Sequence, residues 1–536
     1  MKTNNSHPIR LVRRGLAASA ALLVLTLTAC YSDDSTIAEQ LVSDITIGEL
    51  IQGGSINILS YQGKHIELAP QVTTAYPENE LSYEWYLIDN DAQPLQAWKE
   101  GDPVTFDREH IASGRTLDYE VNLSPGTYTL VFEVQASNGY TVSKTATINA
   151  VTDYSQGFYI LKETPDGQTE LDLLNTTGNS DLQEGRTAEN VFLQNVLTTM
   201  HGRPFPASPS CLSTCMNHCY IDTVSNTPQS ANLVTVATTD GQIYAMRNSD
   251  LRIVLTRQNL LFDNMQPDEI PYRIVSGMWG NYFISSKGIR FQYDTAIGGK
   301  EGSGRYALES SIGASRWVTY DEMSSSLFFW DDESHSIAIS DYNGVTTVAE
   351  DSHYMLSGLS RMNCVCTGYC GATQQVVFVL SSLDGSQRQI VQLSASLGGG
   401  VEVQAMRALR GSNVNTARLF TVSCTSAALL YGVVDNTIYG LDLTSYSELE
   451  ILPKGIDPEE EIIYISNQYG GMMNPYDYFV VGTRRGADGY TLRFYQLLGG
   501  MPDGEPVYTL QGTGTPKAIH YSGQSQMGFF NIPLQD

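Results

Sequence analysis

One unit recurs along the second part of the chain, and it constrains the fold more than any other feature. The unit is an apolar strand, a turn containing Gly or Asn, and a second strand. It reads GFYILKETPDGQTELDLL at 157–174, NLVTVATTDGQIYAMRN at 232–248, GNYFISSKGIRFQYD at 280–294 and SSLFFWDDESHSIAISD at 325–341. It returns as QQVVFVLSSLDGSQRQIVQL at 374–393, AALLYGVVDNTIYGLDL at 427–443 and YDYFVVGTRRGADGYTLRFYQL at 476–497. After the second copy the starts advance by roughly 50 residues, the length of a four-stranded propeller blade. A lone hairpin cannot bury both of its faces, but hairpins stacked radially can. The seven copies predict a seven-bladed β-propeller over 154–536, with six or eight blades, an open sandwich array or a β-helix as the alternatives. The segment KAIHYSGQSQMGFFNI, 517–532, is expected to close the ring on the first unit.

Before the repeats the text changes. HIELAPQV, LSYEWYLID, LDYEVNL, GTYTLVFEVQAS and YTVSKTATINAV place apolar residues at every second position, the mark of half-buried strands. Turn formers such as SPG and SNG separate them. Six or seven short strands over 45–152 fit a β-sandwich, with Trp85 as its core tryptophan and Tyr128 at a corner. The fold class expected for the whole chain is all-β. Residues 123–150, LSPGTYTLVFEVQASNGYTVSKTATINA, resemble the closing strands of a PKD domain, an immunoglobulin-like sandwich, and YEWYL resembles its tryptophan strand. No cysteine lies between 31 and 210, so this sandwich must hold by burial alone.

The N-terminus bears Lys2, Arg10, Arg13 and Arg14 and no acid before Asp33, followed by the apolar run LAASAALLVLTLTA and then Cys30. That is a secretory signal, too short for a comfortable membrane span. LTAC at 27–30 resembles the bacterial lipobox, which implies lipidation of Cys30 and removal of 1–29. YSDDS at 31–35 resembles the acidic export tag of surface lipoproteins in the Bacteroides group, and 30–44 reads as a tether. With lipobox, tag, sandwich and propeller in that order, the chain is similar to the PKD-like family lipoproteins of Bacteroidetes. The phrase YSQGFYILKETPDGQTELDLL resembles the family's junction from sandwich to propeller. The resemblance implies a place at the outer membrane, held through the lipid on Cys30 and facing the exterior, beside a nutrient-uptake transporter.

Charge excludes one class of partner. The whole chain carries a formal −27, and losing the four basic residues of 1–29 leaves −31 on the remainder. Nucleic acid would be repelled.

The chain shows no G-x-S-x-G in strand–turn–helix context, no HExxH, no Walker loop and no EF-hand loop, so no catalytic residue and no cofactor is assigned. The acids of WDDES, Asp331 to Glu333, read as a hairpin turn. Asp240, Asp384 and Asp488 each precede glycine and read the same way. Cys211, Cys215 and Cys219, with His218 among them, form one cysteine cluster. Cys364, Cys366 and Cys370 form a second, and Cys424 stands alone. Disulfides between the clusters, free buried thiols and a metal site are all open readings, although C-x3-C-x2-H-C is not a common zinc spacing. Trp279, Trp317 and Tyr469 are candidate ligand-binding aromatics, since flat rings stack on sugars, and Trp330 is a weaker one. The function expected is non-catalytic capture of a glycan or other nutrient at the cell surface. A propeller-type glycoside hydrolase or polysaccharide lyase and a protein-binding adhesin are the alternatives.

Overall fold

A computed structural model describes residues 45–522, apart from 60–64, 91–106, 125, 177–189, 224–227, 278–279, 294–303, 311–313, 322–323, 342–343, 350–352, 397–399, 425–426, 470–475 and 488. The signal segment 1–29, Cys30, the tether to 44, Trp279, Asp488 and the stretch 523–532 of the closing segment lie outside the described residues.

The first body is a sandwich. Its main sheet runs in the order Ser55–Leu59, Thr141–Val151, Gly126–Ala136, Leu81–Asp89 and Arg108–Ser113. Two short pairs, His65–Leu68 with Leu117–Glu120 and Thr46–Ile47 with Val72–Thr73, contribute to the same core. The period-2 pattern explains the packing. Tyr128, Leu130, Phe132, Val134 and Ala136 alternate into that core from one strand, and Tyr83, Trp85 and Leu87 meet them from the next. Trp85 is fully buried, 4.2 Å from the ring of Phe132, and its Nε1–H donates to Gly114 O at 2.9 Å. The Tyr128 hydroxyl donates to Ser124 O at 2.9 Å, making the expected corner.

The second body is a ring of seven antiparallel sheets, six of four strands and the seventh of five, the extra one being the two-residue strand Met501–Pro502. The innermost strands of blades 2 to 7 are Pro209–Ile221, Pro271–Gly277, Ala314–Asp321, Met362–Cys370, Leu419–Val422 and Glu461–Tyr469. Blade 1 takes its innermost strand, Thr515–Ser522, from the far end of the chain, paired with Gly157–Glu163. These seven strands neighbour one another in order around a closed circle. Each hairpin read from the sequence supplies the middle two strands of one blade. The propeller and its closure by the 517–532 segment are therefore as expected, with the pairing seen as far as Ser522.

Successive residues of a blade's second strand serve opposite cores. Phe158 and Ile160 pack against blade 7, whereas Tyr159 and Leu161 pack against blade 2. Leu327 and Phe329 face blade 3 while Phe328 and Trp330 face blade 5. Both faces are covered, so these strands read as continuous apolar runs rather than alternating ones. Seven inter-blade cores result, one at each junction.

The junction of blades 1 and 7 also holds a buried ion pair. Lys162 Nζ lies 2.7 Å from Asp172 Oδ1, both side chains being fully buried, and donates to Asn195 Oδ1 at 2.9 Å. Asp172 also accepts from the Asn195 backbone N–H at 2.7 Å and from the Tyr490 hydroxyl of blade 7. Removing one partner strands the other as a buried charge, which costs about 3–5 kcal/mol, whereas replacing both by apolar groups is close to neutral. Lys162→Met is therefore expected to lower unfolding stability by that amount in urea titrations. Lys162→Met with Asp172→Leu should recover most of the loss.

Candidate functional site

Seven innermost strands converge on one axis, and their exposed edges must find hydrogen bonds there. The sequence supplies small polar side chains for this purpose, and they stitch neighbouring blades together at four junctions. The Ile274 N–H of blade 3 donates to Ser213 Oγ of blade 2 at 2.9 Å. Asn467 N–H of blade 7 donates to Thr421 Oγ1 of blade 6 at 3.3 Å, and Gln468 Nε2 reaches Ile519 O of blade 1 at 3.0 Å. Asn248 Nδ2 of blade 2 donates to Ser522 Oγ of blade 1 at 3.3 Å.

Two larger groups stand among them. Arg273, on the innermost strand of blade 3, is 3 % exposed, and its Nη1 donates across to Val318 O of blade 4 at 3.3 Å. Its Nη2 is buried and has no hydrogen-bond partner. Burial pulls its pKa down to about 10. His520, on the closing strand, is 5 % exposed, and its buried Nε2 likewise has no partner. Burial first, and then the positive charge of Arg273, push its pKa down to about 3. Arg273 also acts electrostatically on Cys211 of blade 2 and Tyr464 of blade 7. Arg273 thus lies on the innermost strand of blade 3, is hydrogen-bonded to the innermost strand of blade 4, and its charge acts on groups of the innermost strands of blades 1, 2 and 7. Sequence reading passed over both residues. The only signals were an arginine in the apolar strand PYRIVSG and a histidine in the closing strand KAIHYS.

Of the foremost aromatic candidates, the two described ones, Trp317 and Tyr469, stand on different blades. Trp317 is half-buried on the innermost strand of blade 4, packed against the core shared with blade 5, with the Arg316 guanidinium 5.9 Å from its ring centroid. Tyr469 ends the innermost strand of blade 7, opposite Asp477, three blades away around the ring. Trp330 is fully buried core. WDDES is a turn between Ser326–Asp331 and Ser336–Asp341, where Asp331 Oδ1 accepts from the Glu333 N–H at 3.0 Å. Asp240 and Asp384 also stand in hairpin turns.

Among the described residues, Cys211, Cys215, Cys219, Cys364, Cys366, Cys370 and Cys424 are not bridged to one another, so the disulfides left open by the sequence are not formed here. The two clusters occupy the innermost strands of blades 2 and 5, which are not neighbours. Within a cluster, four residues of strand separate Cα atoms by about 13 Å, beyond disulfide reach. Cys364 and Cys366 are closer, but a register shift between them turns Cys364 towards blade 4 and Cys366 towards blade 6. These thiols pack as small hydrophobes. Burial pushes Cys366 up to about 12 and also raises Cys211 and Cys364. His218 lies 3.7 Å from Cys215 Sγ through Nδ1, and its Nε2 is 3.1 Å from Gly304 O. Among the described residues no group of three or more His, Cys, Asp or Glu side chains could hold a metal.

Residues 30–209 match the sequence model of the PKD-like family, which meets the resemblance read from residues 123–150 and from the junction at 154–174. The matched stretch runs through the sandwich and on through the first hairpin of the ring. No curated protein matches the chain. Among solved structures the chain is similar to the dihydro-heme d1 dehydrogenase NirN in complex with DHE, at 10% identity over 70% of this chain and 76% of that one, with a TM-score of 0.34. It is also similar to an auxiliary nutrient binding protein from Bacteroides thetaiotaomicron, at 8% identity over 82% of this chain and 95% of that one, TM-score 0.31. Another such protein, from Bacteroides ovatus, shares 9% identity over the same proportions, TM-score 0.30. With superpositions this loose, the ring is defined by its own strand pairing.

Two outcomes follow from the buried groups. Seven thiols beyond Cys30 should titrate with a chromogenic disulfide reagent in denaturant, and at most the half-buried Cys219 should react quickly in the native protein. Burial also lowers His218, to about 4, as it lowers His520. Both bind protons more weakly folded than unfolded, where the value is 6.5. Their contribution to stability is complete above 6.5 and is lost as pH falls towards 4 and 3. Thermal melts should fall over that window, and His218→Gln with His520→Gln should flatten the slope relative to wild type.

Proposed function

We propose that this chain is a lipid-anchored, non-catalytic binding protein of the cell surface, working beside an outer-membrane system that takes up glycan or another nutrient. The observation that carries the reading is the closed seven-bladed ring whose axis gathers buried polar groups with unused hydrogen-bonding capacity, Arg273 foremost. A rigid ring with polar groups already ordered at its centre can bind with little loss of conformational freedom.

The buried carboxylates support binding rather than hydrolysis. Asp172 is tied to Lys162. Glu170 accepts from the N–H groups of Leu197 and Thr198 at the start of the short helix Val196–His201. Glu269 is paired with Arg290 at 2.5 Å. A glycosidase needs two carboxyl groups about 5–10 Å apart and free to act on substrate, whereas these hold the ring together. The two Bacteroides proteins named above are described as auxiliary nutrient binding proteins. The same kind of role is proposed here on the ring's own geometry, with the lipid on Cys30 as the anchor and the sandwich as the spacer.

Incubating the mature chain with a glycan panel should give binding without product release. Turnover of any member would establish the hydrolase or lyase instead. Cys30→Ser should shift the protein from the membrane fraction to the aqueous fraction and abolish incorporation of labelled palmitate.

A further inference from the structure

Among the described residues, the deeply buried cations other than Arg273 are matched by carboxylates. Lys162, 0 % exposed, meets Asp172, and Arg290, 4 % exposed, meets Glu269 and Asp263. Arg493, 10 % exposed, meets Glu460. Arg273 departs from the pattern: it is as deeply buried as these, and among the described residues no carboxylate is paired with it. Among the described residues its one hydrogen bond is the 3.3 Å contact to a neutral carbonyl, Val318 O, and Nη2 is left with two unused N–H donors. An unpaired buried charge costs several kcal/mol, and the lowest-energy remedy is a counter-ion. His520 brings a second unused ring nitrogen to the same region, from a strand that Arg273 already influences.

We propose that the ring axis binds a small oxyanion, held by the Arg273 guanidinium with His520 as the second donor. The oxyanion is either the carboxylate of an acidic sugar or a free inorganic anion such as sulfate. The guanidinium fork matches two oxygens of either. A neutral His520 protonated at Nε2 donates a further hydrogen bond, and the bound negative charge stabilises the imidazolium form as pH falls. The chain's net charge of −27 gives such a ligand no long-range attraction, so selection rests on these local donors. This inference rests on the reading of the ring as a binding module and adds the charge class of what it binds.

The test is calorimetry and thermal melting of the mature chain at fixed ionic strength with galacturonate, galactose, sulfate and acetate, alongside the neutral members of the glycan panel. Saturable binding of galacturonate or sulfate, with no response to galactose, is expected. Arg273→Met should weaken that binding by at least about tenfold, the scale of a lost charge-assisted pair, and His520→Gln should weaken it less. If Arg273→Met does not fold, Arg273→Lys keeps the charge, loses the fork and should still weaken binding. Tighter binding of galacturonate than of both sulfate and acetate assigns an acidic sugar, and tighter binding of sulfate assigns the inorganic ion. Anion binding should also raise the pKa of His520, read from its imidazole proton resonances. An anion response unchanged by Arg273→Met or Arg273→Lys overturns the proposal, as does the absence of any saturable anion response. In that last case, continued binding of neutral glycans leaves the binding-module reading standing, and loss of all ligand binding removes both.

Discussion

The pairing of Thr515–Ser522 with Gly157–Glu163 is the contact on which the ring depends. Without it blade 1 has no innermost strand, and the cores at its two sides lose Ala518, Ile519 and Tyr521. Closure also covers the inner edge of Gly157–Glu163 and the blade faces that an unclosed stack of sheets would leave open. The turn before the strand is built for this approach. Gly514 has φ +88°, and a Cβ there would sit 2.4 Å from Glu163 O, so a side chain would press the closing strand away from its partner.

Closure makes the middle of each blade apolar on both faces and leaves the axis as the place for polarity. Seven backbone edges meet there, and serine, threonine, asparagine and glutamine side chains satisfy them across blade boundaries. Such a centre is rigid because each link joins different blades. Arg273 Nη2 and His520 Nε2 are, with the hydroxyls of Ser210, Ser276 and Tyr464, the buried side-chain groups of the innermost strands without a hydrogen-bond partner among the described residues, and Arg273 alone of these carries a full charge. The buried cysteines belong to the same logic. They are small enough for the crowded innermost strands, and burial raises the thiols of Cys211, Cys364 and Cys366, which keeps those three neutral.

Much of the architecture was legible in the sequence because it is local. The hairpin at 325–341 announces itself through SLFFW, a polar turn and SIAIS, and the sandwich strand at 126–136 through its alternation. The corner at Tyr128 and the burial of Trp85 could be read the same way. The site was not legible. Trp317 and Tyr469 are aromatics near strand ends by sequence, yet the ring sets them on blades 4 and 7, and Trp330 is wholly consumed by packing. Cysteines that look pairable as two triplets are separated onto blades 2 and 5.

What the sequence determined by itself is the periodic part: all-β class, a sandwich before the ring, seven hairpins and a closing strand. Those follow from alternation, turn residues and repeat spacing, which act over a few residues. The tertiary structure alone decided which side chains meet at the axis. Arg273 and His520 lie nearly 250 residues apart in the chain, and only the circular stacking of blades, completed by a strand from the opposite end, sets both on innermost strands of the ring, where the Arg273 charge acts on the imidazole.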